Sequence, residues 1–93
     1  MMSIKYSPAF IEKLKKVDVR IRKSFKERIQ TFEKNPNNTQ LHNHKLKDPY
    51  RGFSSIDITA DYRALFTEIN EGGKSYFYFT LLGTHKELYQ TKT

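Results

Sequence analysis

The 93-residue sequence predicts a two-layer α+β fold, in which an N-terminal strand and a helical hairpin pack on a curved antiparallel sheet and a short helix closes the chain. Three observations predict it. Apolar residues recur with a helical period in the first third, the period changes to two after residue 52, and helix-start signals follow residue 83. We expect one domain over residues 1–93, because a chain of this length builds a single core. The second face of the sheet is expected to stay open to a partner or substrate.

A strand at residues 4–6 leads into the helical region. Ser7 is a favourable N-cap, and Pro8 suits the first helical turn, where no amide donor is needed. Asp18 marks a break or a bend between two helices, and the turn-forming residues 35–38 end the second one. The apolar stripe of the two helices consists of Phe10, Ile11, Leu14 and Val17, then Ile21, Phe25, Ile29 and Phe32.

The sheet follows a segment that we interpret as a loop, residues 39–52, which is polar and ends in turn-forming residues. Alternating residues then predict strands at 53–59, 62–69 and 75–82, with a hairpin turn at Gly72-Gly73. The third of these strands is aromatic at four consecutive positions, which predicts a central strand covered on both faces. Thr84 and Glu87 have the spacing of a capping box, so a short helix is expected to continue through Leu88 and Tyr89.

Composition excludes several classes of protein. The chain contains 7 Phe and 6 Tyr, which supply bulk for a small core. It contains no Cys, which excludes a disulfide scaffold, a thiolate zinc site and a cysteine nucleophile. No apolar run approaches the roughly 20 residues that span a bilayer, and the N-terminus lacks the apolar core of a secretory signal. We therefore expect a cytoplasmic protein that neither spans nor binds a membrane.

The positive charge is concentrated in the helical half. The whole chain carries a formal charge of +7, and residues 1–34 hold ten basic against four acidic residues, hence +6. Such asymmetry suits a polyanion such as RNA, DNA or an acidic protein, although a solvated helix face would have the same composition. The basic residues of the helices expected to dock on such a polyanion are Lys15, Lys16, Arg22 and Lys26.

Four side chains able to act as acid, base or cation lie at the ends of predicted elements: His44, Asp61, Arg63 and His85. His44 precedes the sheet, Asp61 and Arg63 begin its second strand, and His85 begins the last helix. If they converge at one sheet edge, they suit cleavage of RNA by its own 2′-hydroxyl. That reaction needs a base, an acid and cations for the developing charge, but no metal. Histidine can supply either proton-transfer role near neutral pH.

Each of these residues also has an ordinary structural interpretation. His44, with His42 nearby, can be an exposed loop residue, and His85 can cover the helix start, where the helix dipole opposes a positive charge. Asp61 can be a turn residue, and Arg63 can form an exposed ion pair with an aspartate. A zinc site built from the three histidines is disfavoured by the His-x-His spacing without Cys, and no metal or cofactor is expected.

Four short segments carry a resemblance to a known family: His44-Lys45-Leu46, Arg51-Gly52-Phe53, Asp61-Tyr62-Arg63, and Gly83-Thr84-His85 with Leu88-Tyr89. In this order they resemble the RelE/ParE toxin superfamily and, within it, the YafQ-like branch. The resemblance covers nearly the whole chain in element order and is most specific in the second half. It implies a toxin of a type II toxin–antitoxin module that cleaves mRNA on the 70S ribosome, without metal, by 2′-hydroxyl attack.

The resemblance also implies roles for individual residues. His44, Asp61 and His85 fall on catalytic positions of the branch, and we favour His44 as general base and His85 as general acid, with Asp61 orienting them or sharing the proton transfer. Arg63 matches an arginine of RelE itself and is expected to hold the scissile phosphate. The further residues expected to contact RNA are Lys45, Lys47, Arg51, Asp57, Tyr62 and Tyr89.

Two positions depart from the branch pattern. The branch has a histidine at the position of Asp57, whose carboxylate cannot supply positive charge, and a tryptophan at the position of Tyr62, which can still stack on a base. The implied partners are a cognate, acidic antitoxin, the ribosome with its mRNA, and operator DNA reached through the antitoxin. Two alternatives remain open: a ParE-like inhibitor that binds DNA gyrase without catalysis, and a degenerate toxin that only binds its antitoxin.

Overall fold

A computed structural model describes residues 3–89 and shows one mixed sheet with helices packed on it. The spatial order of the strands is β1-β5-β4-β3-β2. In chain order the elements are β1 (Ser3–Tyr6), α1 (Pro8–Lys16), α2 (Val19–Lys34), a 3₁₀ turn (Thr39–Leu41), β2 (His44–Lys45), β3 (Ser54–Asp57), β4 (Tyr62–Glu71), β5 (Lys74–Thr84) and α3 (His85–Tyr89). The predicted two-layer α+β class with a short last helix is confirmed.

The sheet differs from the prediction in the direction of one strand. Strands β2 to β5 pair antiparallel, as expected, but β1 pairs with β5 in the parallel direction. The β4–β5 connection is a hairpin whose two glycines, Gly72 and Gly73, have φ of 55° and 79°, and such a turn forces antiparallel pairing. No hairpin links β1 to β5, which lies far away in the sequence, so the direction of β1 is decided by the path of the helices.

Local signals place the two helices where the sequence predicts them. The Ser7 hydroxyl accepts a hydrogen bond from the Phe10 amide at 3.0 Å and donates one to the Thr80 carbonyl at 2.9 Å, which ties the start of α1 to β5. The break is at Asp18, whose carboxylate accepts from the Arg20 amide at 2.7 Å and caps α2. The 16 residues of α2 therefore form a second helix that begins after this cap.

Aromatic side chains build the core between the helices and the sheet. Phe32 of α2 is 1% exposed and packs edge-on against Phe66, Phe77 and Phe79, with ring centroids 4.9–5.4 Å apart. Each such pair contributes about 0.5–1.5 kcal/mol beyond the burial of its area. The other members of the core cluster are Phe10, Phe25, Ile29, Leu41, Ile56, Ile58, Ala64 and Leu82.

The aromatic strand β5 is interior, between β1 and β4, but its second face is not covered along its whole length. Phe77 and Phe79 point to the helices, whereas Tyr76 and Tyr78 lie on the other face and stay half-exposed. There the Lys5 ammonium lies 4.4 Å from the centre of the Tyr76 ring. The expectation of two covered faces is wrong because Tyr, unlike Phe, can leave its polar end in water.

Residues 39–52 are more structured than the predicted loop. They contain the 3₁₀ turn with the fully buried Leu41 and the two-residue strand β2, which is too short to show a period. The following segment and α3 cover one end of the second sheet face, where the Tyr50 hydroxyl donates to the Leu88 carbonyl at 2.6 Å. The second face is therefore only partly open. Within residues 3–89, no helix has the length and apolarity that crossing a membrane requires.

Candidate active site

Strand register places several polar side chains on the second face of the sheet. His44 pairs directly with Ser55, and Asp57 pairs directly with Arg63, which in turn is opposite Gly83. Residues directly opposite each other point to the same face, as do residues two apart on one strand. His44, Ser55, Asp57 and Arg63 therefore share the face opposite to the helical layer.

An open cleft of about 310 Å³ lies on this face. Strands supply one wall, and α3 supplies the other, where the rings of His85 and Tyr89 lie 4.6 Å apart. The residues that line the cleft are His42, His44, Leu46, Ser55, Arg63, His85 and Tyr89. Four residues predicted from the sequence thus come together: His44, Arg63, His85 and Tyr89.

His44 is oriented by the backbone of the preceding turn. Its Nδ1 lies 2.8 Å from the carbonyl oxygen of His42. Because a carbonyl oxygen only accepts, this hydrogen bond needs a proton on Nδ1, so the neutral ring presents an unprotonated Nε2. The side chain is exposed on the edge strand β2. The geometry therefore provides a histidine with a defined tautomer and a free acceptor.

His85 is held by the cap of α3. Its amide donates to the Asp61 carbonyl at 2.9 Å. Thr84 and Glu87 form the predicted capping box, since the Glu87 amide donates to the Thr84 hydroxyl at 3.0 Å and the Thr84 amide donates to Glu87 Oε1 at 2.9 Å. This backbone hydrogen bond, with a smaller contribution from the Lys13 ammonium 3.1 Å away, lowers the pKa of Glu87.

Arg63 is largely buried and is held by backbone carbonyls and by an aspartate. Its side chain is 19% exposed, and its Nη1 donates to the carbonyl oxygens of Thr59, Ala60 and Tyr62 at 3.0–3.2 Å. Its Nε lies 3.0 Å from Asp57 Oδ1, so the ion pair expected among the alternatives forms with Asp57. That pair is not the exposed surface bridge of the sequence interpretation, because both side chains are mostly enclosed.

Two buried polar atoms on the sheet face that carries the cleft lack a hydrogen-bond partner in the part of the chain that the structure describes. They are the Ser55 hydroxyl and Asp57 Oδ1, which faces Arg63 without hydrogen-bond alignment. Buried polar groups are nearly always satisfied in folded proteins. Unmet hydrogen-bonding capacity next to a row of imidazoles is what a site for a polar ligand or for ordered water provides.

The fold of this chain is shared with solved structures of other proteins. No protein-family model matches the sequence, and no curated protein is significantly similar to it. Solved structures do match: YafQ from E. coli strain BL21(DE3) has a TM-score of 0.75 at 18% identity, over 96% of this chain and 99% of that one. The chain has the fold of the YoeB, ParE and YafQ toxins. The resemblance to RelE/ParE-type toxins that the sequence suggested is thereby confirmed in the fold.

Two further structures show the same likeness. A YoeB/ParE toxin from Agrobacterium tumefaciens has a TM-score of 0.71 at 17% identity, over 90% of this chain and 99% of that one. A YoeB–YefM complex from Staphylococcus aureus matches with a TM-score of 0.67 at 19% identity, over 91% of this chain and 98% of that one. At identities this low, the likeness shows that the fold is shared and nothing more. The activity therefore has to be argued from the cleft.

Two residues predicted for the site lie outside the cleft of this toxin fold. Asp61 is in the bend before β4 rather than on the strand, and its carboxylate is exposed and does not line the cleft. Tyr62 is adjacent to Arg63 on β4 and therefore points to the opposite face, where it packs against the core. Tyr62 is thus not placed to stack on a base in the cleft, and Asp61 contributes its backbone carbonyl to His85.

The predicted basic RNA contacts surround the cleft without lining it. Lys45 points away from His44 toward a neighbouring groove that also contains Phe66, and Lys47 is exposed. Arg51 is exposed and pairs with Asp48 at 3.2 Å. These side chains can attract a polyanion to this end of the molecule, while contact with a phosphate in the cleft falls to other residues.

Of the four predicted docking residues, all exposed on the helices, one has a structural role as well. Arg22 Nη1 donates to the carbonyls of Lys15 and Val17 at 3.2 and 2.7 Å and so caps the end of α1. Lys15, Lys16 and Lys26 are exposed on the helical surface, where the Lys15 ammonium also lies 3.7 Å from Glu12 Oε2. Within residues 3–89, no cluster of three or more metal-ligating side chains is present.

Proposed function

We propose that the protein is a toxin of a type II toxin–antitoxin module and an endoribonuclease that cleaves mRNA on the ribosome through metal-independent attack of a 2′-hydroxyl. The observation that supports this most strongly is the cleft that gathers His44, Arg63, His85 and Tyr89 from β2, β4 and α3. A protein that acts only by binding gyrase has no need for two imidazoles facing one cavity next to an arginine.

His44 is the general base in this proposal. The hydrogen bond from its Nδ1 to the His42 carbonyl leaves Nε2 as the acceptor. A base must take the proton from the 2′-hydroxyl as its oxygen attacks the adjacent phosphorus, and positioned groups of this kind contribute about 10²–10⁴ in rate. Exposure on an edge strand lets a nucleotide reach that nitrogen directly.

His85 is the general acid, and Tyr89 is the aromatic partner of the nucleotide. On the opposite wall, His85 donates a proton to the 5′ oxygen that leaves as the phosphorus–oxygen bond breaks, so the products end in a 2′,3′-cyclic phosphate and a 5′-hydroxyl. The Tyr89 ring, 4.6 Å from the His85 ring and tilted by 50° to it, presents a face on which an unpaired base can stack. The capping box at Thr84 and Glu87 keeps both side chains on the cleft.

The partners follow from charge and from the comparison. Lys15, Lys16 and Lys26 on the helices offer a phosphate-binding surface for ribosomal RNA. The similar YoeB was solved together with YefM, and we propose that this chain likewise binds a cognate antitoxin, an acidic one given its own +7 charge. Operator DNA would be reached through that antitoxin, and activity on translating ribosomes places the protein in the cytoplasm.

Single-turnover cleavage on programmed 70S ribosomes tests the proposal. The expected products carry a 2′,3′-cyclic phosphate, and chelating metal should slow cleavage only as far as it disturbs the ribosome. A 3′-hydroxyl end contradicts the mechanism. A protein that leaves mRNA intact but blocks DNA supercoiling by gyrase would be a ParE-like inhibitor, and one that does neither while binding its antitoxin would be a degenerate toxin.

A further inference from the structure

We infer that His42 is a third histidine of the cleft and binds a phosphate of the substrate there. The inference rests on the proposed function and adds a residue that the toxin resemblance does not include. His42 lines the cleft with His44, Arg63 and His85, and its role follows from the charges around it.

The permanent charges of the cleft cancel. Among the residues that the structure describes, Arg63 is the one lining residue with a fixed positive charge, and its Nε lies 3.0 Å from the carboxylate of Asp57. Three backbone carbonyls occupy its Nη1, so most of its donors are directed into the protein. The other lining residues are histidines, Ser55, Leu46 and Tyr89. Any surplus positive charge for an anionic substrate therefore has to come from an imidazole.

Among the histidines of the cleft, His42 is the one that lies next to Asp57 and can offer a positive charge to a phosphate. Its Nδ1 lies 3.7 Å from Asp57 Oδ2, the oxygen that does not face Arg63, and its ring stacks 4.8 Å from the ring of His44 with a tilt of 32°. The protonated ring has two donors. One is directed at Asp57, and the other is free for a phosphate oxygen, since the side chain is 71% exposed at the mouth of the cleft.

The backbone and the ring of His42 have separate roles: the carbonyl orients His44, and the ring is proposed to bind phosphate. Its φ of 50° and ψ of 48° are left-handed, a conformation that few residues other than glycine adopt, although His and Asn tolerate it better than most. In this conformation its carbonyl orients His44. Replacement by Asn or Gly preserves the backbone and its carbonyl, and removes only the ring. The ring can therefore be tested without disturbing the general base.

The experiment measures binding of a labelled, uncleavable 2′-O-methyl RNA hexamer to the free protein at low salt, by fluorescence anisotropy. His42→Asn and His42→Gly are compared with the wild type and with Lys74→Gln. Lys74 is an exposed residue at the far end of the β4–β5 hairpin, and the variant removes one positive charge about 25 Å from the cleft. Urea unfolding should give the same free energy for His42→Asn and Lys74→Gln as for the wild type, because both side chains are exposed, and His42→Gly should differ by at most about 1 kcal/mol, the usual effect of glycine on the backbone.

We expect both His42 variants to bind roughly tenfold more weakly than the wild type, the usual effect of a hydrogen bond to a charged group, and Lys74→Gln to stay within twofold. Affinities of the His42 variants within twofold of the wild type would overturn the inference, as would a wild type that fails to bind at millimolar hexamer. If the wild type cuts mRNA on ribosomes while His42→Asn binds normally, the proposed function stands and the role of His42 does not. If removal of the His42 ring weakens RNA binding but the wild type cuts no mRNA, the role of His42 stands and the proposed function does not.

Discussion

Gly83 controls how closely α3, and with it His85, approaches the sheet. It lies opposite Arg63, so a side chain there would point into the second sheet face, beneath α3. A Cβ at this position would lie 2.9 Å from Glu87 Oε1 and 3.4 Å from Leu88. We predict that Gly83→Ala displaces α3 and lowers both activity and stability.

The size of the effect follows from what must move. Ordinary van der Waals contact begins near 3.4 Å, so Glu87 or the whole of α3 has to shift by about 0.5 Å. The Glu87 carboxylate is not free to swing away, because it accepts from the Thr84 amide and from Lys13. Losing the cap costs about 0.5–2 kcal/mol of stability. Because a misplacement of about 1 Å can cost about 10²-fold, a shift of His85 by half that distance would lower the rate of cleavage by about tenfold.

The assay pairs urea unfolding with single-turnover cleavage on programmed ribosomes. Glu87→Gln is the matched control, because glutamine preserves the capping box and loses only the charge. It should retain near-normal cleavage. Glu87→Ala removes the cap without the steric conflict and should fall between the two. A Gly83→Ala protein that cleaves within twofold of the wild type would refute this account of how α3 is positioned.

Four further predictions address other parts of the molecule. His44→Ala should lower the single-turnover cleavage rate by about 10²–10⁴ while changing the free energy of unfolding by less than about 0.5 kcal/mol, and a loss under tenfold would argue against a base at this position. Phe32→Ala should destabilise the fold by about 3–5 kcal/mol in urea unfolding, because it empties the centre of the aromatic cluster. The pKa of Glu87 is lowered in the folded protein, so the stabilisation of α3 is complete above the ordinary glutamate pKa of about 4.3 and is lost as the pH falls through the lower folded value. The protection factor of the Thr84 amide, corrected for the pH dependence of intrinsic exchange, should therefore fall below about pH 4, and a protection factor unchanged down to pH 2 would contradict the assigned cap. Glutamine at three helical lysines should weaken ribosome binding and flatten its salt dependence, whereas unchanged binding would put the docking surface elsewhere. These lysines are Lys15, Lys16 and Lys26.

The sequence by itself determined the features that depend on residues only a few positions apart along the chain. Ser7, Asp18 and the Thr84–Glu87 pair cap helices through hydrogen bonds to amides two or three residues away. The Gly72-Gly73 turn is equally local. For these features the side chain and its partner are close in the sequence, so composition and spacing suffice to predict the element.

Tertiary structure decided which side chains meet. The pairing of His44 with Ser55 and of Asp57 with Arg63 is a matter of register, and register places Tyr62 in the core while its neighbour Arg63 reaches the cleft. In the sequence, the only signal at His42 is a His-x-His spacing. Its contact with Asp57 depends on a left-handed turn and on a strand that begins 12 residues further along. Long-range pairing is driven by burial of apolar surface, and because this driving force is non-directional, it does not by itself say which strands become neighbours. The toxin fold was therefore predictable from local pattern and resemblance, whereas the composition of the cleft required the packed sheet.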